Sequence, residues 1–134
     1  MNINAVKTGL YNALTGSTSL AALASGGVFD KLAPQGVTGP YVIFQKVSGV
    51  PTFTFTARAY DTNSFLVKAV DENPSALRAG SISELIDAAL TDQAITFTTG
   101  SLMVCRRSSD VDYVENADGR TYQHVGAIYT VGVQ

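Results

Sequence analysis

His124 is the only histidine in the chain and the first residue to consider for acid–base chemistry. An imidazole beside Asp118 or Tyr122 could act as a general base, because its ordinary pKa lies near neutrality. No second histidine is present, and no serine stands in a G-x-S-x-G pattern. A lone histidine in a strand is more often packed or hydrogen-bonded than catalytic. We therefore predict no catalytic residue and no enzyme activity.

Cys105 is the only cysteine, which excludes an internal disulfide and gives no metal-binding spacing. The adjacent Arg106 could lower the pKa of the thiol and make it a nucleophile. Neighbouring residues in a strand point to opposite faces, however, and the surrounding sequence is apolar. We predict a buried, structural cysteine.

Charged residues cluster around a predicted loop from Ser108 to Gly119. The set comprises Arg106, Arg107, Asp110, Asp112, Glu115, Asp118 and Arg120. Calcium binding is one interpretation, but the D-x-[DN]-x-[DN]-G frame of an EF-hand is absent. The alternatives are a solvated loop and a charged contact surface, where arginine–carboxylate pairs set the register of a neighbouring subunit. No glycine stands in a phosphate-binding loop, and we predict no metal and no cofactor.

Residues 49–63, termed the arm, combine aromatic side chains with few charges. Phe53 and Phe55 alternate with threonines, and Arg58 is the only charge in the stretch before Asp61. This alternation permits a strand or a hairpin. In an oligomer such an arm could lie on its neighbour in the manner of strand addition. The predicted contact residues are Thr52, Phe53, Thr54, Phe55, Arg58 and Tyr60.

Composition favours an assembly over an isolated subunit. Charged residues make up 15% of the chain, against a usual share of about 25%. The net charge of −2 gives no basic surface for nucleic acid. No apolar run approaches the roughly 20 residues of a membrane span, and residues 1–7 lack the features of a signal peptide. We expect no membrane contact and synthesis in a cytoplasm.

The terminal stretch Arg120–Gln134 predicts a central strand on which a helix packs. Its apolar residues recur with a period of two at Val125, Ala127, Tyr129, Val131 and Val133. The first helix is predicted from Ile3 to Leu14, with Asn2 or Asn4 as its N-cap and Gly16 at its end.

The remaining elements are predicted from turn signals and periodicity. They are a short helix at Leu20–Ala24, strands at Val28–Leu32, Tyr41–Val47, Phe65–Val70, Ile95–Thr98 and Leu102–Arg107, and a helix at Pro74–Leu90 capped by Asn73. We expect Ser48–Pro51 to break the chain after the second strand. The fold class is α+β: a mixed, mainly antiparallel sheet with two main helices packed on one face, in one domain over residues 1–134.

Five stretches in this order resemble the tail-terminator, or tail-completion, proteins of long-tailed bacteriophages and related prophages. They are Leu10–Leu14 with Leu20–Leu23, Val28–Asp30 with Ala33–Gly36, Pro40–Phe44, Phe65–Val70 and Asp118–Gly126. Each stretch is short, and their order along nearly the whole chain carries the resemblance.

The resemblance implies a non-enzymatic structural subunit at the head-proximal end of the virion tail, made in the host cytoplasm. Such subunits form a ring of six on the last ring of the major tail tube protein, stop tube growth and offer a docking surface to head-completion or neck proteins. DNA would only pass through the lumen, and the acidic loop is one candidate lining.

Two other classes of function stay open on the sequence alone. One is another neck or head-completion connector protein, or a tail-tube subunit. The other is a small ferredoxin-like ligand-binding or enzyme domain, which would need a pocket of titratable groups around His124 or Cys105.

Overall fold

One sheet of five strands and three helices make up the computed structural model, which describes residues 2–134. The sheet order is β1-β2-β3-β5-β4; β1 is parallel to β2 and the other neighbours are antiparallel. The α+β prediction with a mainly antiparallel mixed sheet is confirmed. The elements are α1 Ile3–Thr15, α2 Thr18–Leu23, β1 Gly27–Asp30, β2 Tyr41–Phe53, β3 Arg58–Glu72, α3 Leu77–Leu90, β4 Leu102–Ala117 and β5 Arg120–Val133.

The terminal strand β5 lies between β3 and β4, as its apolar pattern predicts. Ala127, Tyr129, Val131 and Val133 are buried in the core, and Val125 packs against it. The helices contribute their apolar faces to this same core, so they cover one face of the sheet. Their core residues are Val6, Leu10 and Leu14 of α1, Leu20 of α2, and Ala79, Ile82, Ile86 and Leu90 of α3.

The first helix begins and ends where the sequence predicts. Of the two candidate caps, Asn2 is the one used: its Oδ1 accepts hydrogen bonds from the backbone N–H groups of Asn4 and Ala5 at 3.1 and 3.3 Å. The helix ends at Gly16. Inside it, a side chain at Gly9 would collide with the Phe97 ring. The glycine therefore lets an aromatic side chain pack directly on the helix backbone.

The third helix begins later than predicted, at Leu77 rather than Pro74. Asn73 does not cap it, because its Oδ1 accepts from the Ser75 N–H at 2.9 Å and forms a turn ahead of the helix. Leu77, an apolar residue inside the predicted helix, is 82% exposed and lies outside the apolar stripe that faces the core. The apolar stripe therefore starts about one helical turn later than predicted, after the tight turn that Asn73 forms ahead of the helix.

The predicted break at Ser48–Pro51 is wrong, because β2 continues through Pro51 to Phe53. The strand β1 covers only Tyr41–Phe44 of β2, so the rest of β2 is a sheet edge where proline is tolerated. A bulge between Lys46 and Ser48 takes up the irregularity. Likewise β3 begins at Arg58, well before the predicted strand at Phe65–Val70, and runs without interruption to Glu72.

The predicted loop from Ser108 to Gly119 is also wrong. These residues continue β4 to Ala117, followed by a tight turn at Asp118 and Gly119, whose φ angles are 52° and 75°. Positive φ at both positions is the backbone of a two-residue hairpin turn, and an Asp-Gly pair favours it. The charged residues of this region therefore lie on a strand, at the edge of the sheet.

Ile95–Thr98 is not a strand. The segment is an extended connection whose Ile95 and Phe97 side chains reach into the core. Its alternation of apolar and polar residues reflects burial against the helices and not pairing in the sheet. In the described part of the chain, no helix is long and apolar enough to cross a membrane.

Candidate subunit contact surfaces

The arm is a β-hairpin made by the ends of β2 and β3. Thr52 pairs with Tyr60, and Phe53 with Arg58. The turn is closed by the Thr54 N–H, which donates to the Ala57 carbonyl oxygen at 2.7 Å. The Thr54 hydroxyl donates to the same oxygen at 3.0 Å. Thr54 thus helps fix the turn, in agreement with the hairpin alternative of the sequence prediction.

The tip of the arm projects beyond the neighbouring strand. β3 pairs with β5 only from Asp61 onward, so residues 53–60 have no β5 partner. The Phe55 ring is fully exposed, and Phe53 is 64% exposed with the Arg58 guanidinium 5.7 Å from its ring centroid. A cation over an aromatic face gives a modest stabilisation at an exposed site. The tip of the arm therefore exposes an aromatic surface at one end of the sheet.

The seven charged residues around the predicted loop do not form one cluster. Arg106 pairs with Asp92 at 2.8 Å, outside the predicted set. Arg107 pairs with Asp110 at 2.7 Å within it. Arg120 reaches Glu72 of β3 at 3.8 Å. Within residues 2–134, no group of three or more histidine, cysteine or acidic side chains could hold a metal ion.

The strand β4 was predicted only over Leu102–Arg107, and its continuation to Ala117 was missed. It is 16 residues long, lies at the end of the sheet, and has β5 as its one strand neighbour within the described residues. Val114 is 55% exposed and Tyr113 45% exposed. Natural proteins usually shorten or cover such an edge, because its unpaired backbone groups can pair with another chain. The alternation of Val111, Tyr113 and Glu115 with Asp110 and Asp112 could have indicated a strand here.

His124 is bonded to Glu115 and not to the predicted Asp118 or Tyr122. Its Nε2 lies 2.9 Å from Glu115 Oε1, and its ring stacks on Tyr113 with centroids 4.4 Å apart. His124 is only 7% exposed, and it lies at the wall of a shallow cavity that Lys68, Tyr113 and Glu115 also line. The interpretation of a packed and hydrogen-bonded histidine accounts for this geometry.

Burial lowers the pKa of His124, and the hydrogen bond to Glu115 opposes that effect. A carboxylate can only accept, so the neutral ring donates from Nε2. The buried Nδ1 has no hydrogen-bond partner among the described residues. Protonation would therefore place a charged N–H where no acceptor lies, which disfavours the imidazolium.

The depressed pKa of His124 predicts a loss of stability in mild acid. The folded state favours the neutral ring, so this contribution is present above the unfolded pKa near 6.5 and is lost as pH falls below it. We expect the Tm to fall between pH 7 and pH 5.5. The fall should be smaller in His124→Gln, which has no titrating ring, and an equal fall in both proteins would contradict the assignment.

Cys105 is buried, as predicted. Burial raises the pKa of its thiol to about 12, and the carboxylates of Asp92 and Asp87 add to the effect. Because the thiolate is the reactive form, the thiol is inert near neutral pH. The neighbouring Arg106 does not activate it, since its guanidinium pairs with Asp92.

Comparison with known proteins agrees with this fold over nearly the whole chain. The family model described as "Tail completion protein gp17" matches residues 8–131. A solved chain titled "Virion of native gene transfer agent (GTA) particle" matches with a TM-score of 0.84 and 16% identity, over 98% of this chain and 96% of that chain. A second solved chain, whose title is only a protein identifier, has a TM-score of 0.60 and 13% identity over the same shares. No curated protein sequence matches.

Proposed function

We propose that this chain, which belongs to the tail completion protein gp17 family, forms a ring that caps the tail tube. Membership of the family makes the protein a structural component of the virion tail. The proposed ring is a homohexamer that sits on the last ring of the major tail tube protein. It ends tube growth and gives head-completion or neck proteins a surface on which to dock.

The observation that carries the self-association proposal is the exposed arm. Phe55 is fully exposed and Phe53 and Val50 are each more than 60% exposed, all in one hairpin. Aromatic and aliphatic side chains presented together are typical of a protein contact, because water solvates them poorly. A charged share of only 15% leaves little polar surface elsewhere to offset them.

The solved chain with the greater structural likeness supports an assembly role. Its title describes a virion particle, and its fold extends over 98% of this chain. A net charge of −2 fits a ring subunit past which DNA moves through the lumen without being held, because DNA binding relies on clustered lysine and arginine side chains.

Two observations support a function without catalysis. The only histidine is buried and stacked on Tyr113, and the only thiol is protonated near neutral pH. His124 lines a shallow cavity, but its ring is stacked and bonded to Glu115, so neither group is the accessible base or nucleophile that a ferredoxin-like enzyme would need.

Polymerisation of the major tail tube protein from the same virus tests the capping role. Added chain should shorten the tubes in proportion to its concentration and appear in electron micrographs at one tube end. Incorporation along the whole tube would identify a tube subunit instead. Binding to the head connector with no effect on tube length would identify a neck protein.

A further inference from the structure

We propose that the arm of one copy lies along β4 of the next copy, so that one repeated arm-to-β4 contact closes the ring. The inference rests on the proposed ring and specifies which two surfaces meet in it. The partner is thus a second copy of this chain, and the two surfaces are different parts of it.

The topology of the sheet leaves two unlike edges available. On one side, β1 covers only Tyr41–Phe44 of β2, and the outer part of β2 leads into the arm. On the other side lies β4. A contact between two unlike surfaces of identical subunits is heterologous, and repetition of such a contact closes into a ring when the rotation permits.

The two hairpins also point to opposite ends of the sheet. The tip of the arm extends past the end of β5, where Asp61 faces Val133. The β4–β5 turn extends past the other end, where Glu72 faces Tyr122. At about 3.3 Å per residue, the tip reaches about 10 Å beyond β5. That length is sufficient to overlap an adjacent subunit.

Charge complementarity favours a second copy as the occupant of β4. The outer part of the arm, residues 49–60, carries Arg58 as its only charge, and Arg58 also lies 3.8 Å from Asp61 at the base of the arm. Residues 110–118 carry four carboxylates and no basic residue, and of these Asp110 pairs with Arg107 and Glu115 with His124. Opposite charges steer and register an interface, whereas contact of two arms or of two β4 strands would bring like charges together.

Apolar side chains on the two surfaces complete the match. The arm presents Phe53 and Phe55, and β4 presents Tyr113 on one face of the sheet and Val114 on the other, all more than 40% exposed. Aromatic anchors at the centre of a polar rim are typical of the residues that carry binding energy. A neighbour's arm would also cover the open edge of β4, which is otherwise a liability for uncontrolled pairing.

Disulfide trapping tests which surfaces meet. Thr56→Cys places a thiol at the exposed tip, and Val114→Cys places one on β4. Cys105 stays as it is, because its buried thiol is protonated near neutral pH. Under mild oxidation, we expect a covalent dimer when the two single variants are mixed and none from either variant alone. The double variant should give a ladder of species up to the full ring.

Dimers from Thr56→Cys alone, with no mixed species, would overturn the inference in favour of contact between two arms. Rings of the wild-type protein in electron micrographs, without any trapped mixed dimer, would overturn the inference and leave the proposed ring intact. Absence of both rings and cross-links would overturn the ring proposal itself.

Charge reversal gives an independent test. Arg58→Glu and Asp112→Arg should each weaken self-association about three- to tenfold at low salt, and the double variant should recover most of the loss. Glu84→Lys, an exposed reversal on α3, is the control and should have no effect. Equal losses in the single and double variants would contradict the pairing of these two surfaces.

Discussion

A subunit in which an Asn-Gly turn replaces residues 52–60 is expected to fold and to form no rings. Pro51 and Asp61 are paired residues, so a two-residue turn can join them directly. The ladder between β3 and β5 begins at Asp61 and stays complete. A wider deletion that also removed Asp61 and Thr62 would cut into that ladder and confuse loss of the ring with loss of the fold.

Native mass spectrometry of this shortened variant would measure ring formation, and thermal unfolding would measure the fold. The matched control replaces Gln35-Gly36, an exposed turn outside both proposed surfaces, with Asn-Gly and keeps the arm. The control should form rings like the wild-type protein. Rings of wild-type size from the shortened variant would refute the role of the arm.

Alanine substitutions of two phenylalanines are expected to have opposite effects on stability and assembly. Phe65 is fully buried on β3 opposite Tyr129, so Phe65→Ala should lower the free energy of unfolding by about 3–5 kcal/mol. Phe55 is fully exposed in the subunit, so Phe55→Ala should change that free energy by less than about 0.5 kcal/mol. The second change should instead weaken or abolish ring formation.

Urea unfolding of the two variants, with mass measurement of each, separates the core from the contact surface. The unfolding measurement needs conditions in which the wild-type protein is dissociated, because association adds to apparent stability. A large loss of stability in Phe55→Ala would mean that the aromatic side chain of Phe55 packs within its own subunit. If Phe55→Ala formed rings like those of the wild-type protein, the contact made by the arm would not depend on the Phe55 side chain.

Local sequence signals predicted the interior of the fold well. The period-two pattern from Val125 to Val133 marked one face of β5, because burial on the helix-covered face demands apolar side chains at alternate positions. Asn2 and Gly16 marked the ends of α1, because cap residues satisfy backbone groups within a few residues of themselves. Both signals depend on nearby residues, and the strand's position in the sheet followed from its apolar character.

The edges of the sheet were predicted poorly, for a physical reason. An edge strand such as β4 faces water along much of its length and carries charges, so its composition resembles that of a loop. Pro51 likewise indicates a break in a central strand but is harmless on the outer edge of β2. Whether a strand is central or at an edge depends on the whole topology, which local patterns do not encode.

The candidate contact surfaces show the same difference between features set by local sequence and features set by the whole topology. The aromatic and threonine alternation around Phe53 and Phe55 indicated the arm, because that pattern is local. The partner of His124 could not be predicted, because Glu115 reaches it only through the register of the β4–β5 hairpin. Because Ser108–Gly119 was predicted to be a loop, no strand register was available there. Asp118 and Tyr122, which lie close to His124 in the sequence, were then the apparent partners.

The central claim is that copies of this tail protein close into a ring through contacts made by the arm. The most direct measurement is electron microscopy of the purified protein with and without tail tubes of the same virus. The account predicts closed rings of one size, free in solution or seated on a tube end, and none from the variant with the shortened arm. Monomers that neither form rings nor cap tubes, or open filaments of unlimited length, would contradict it.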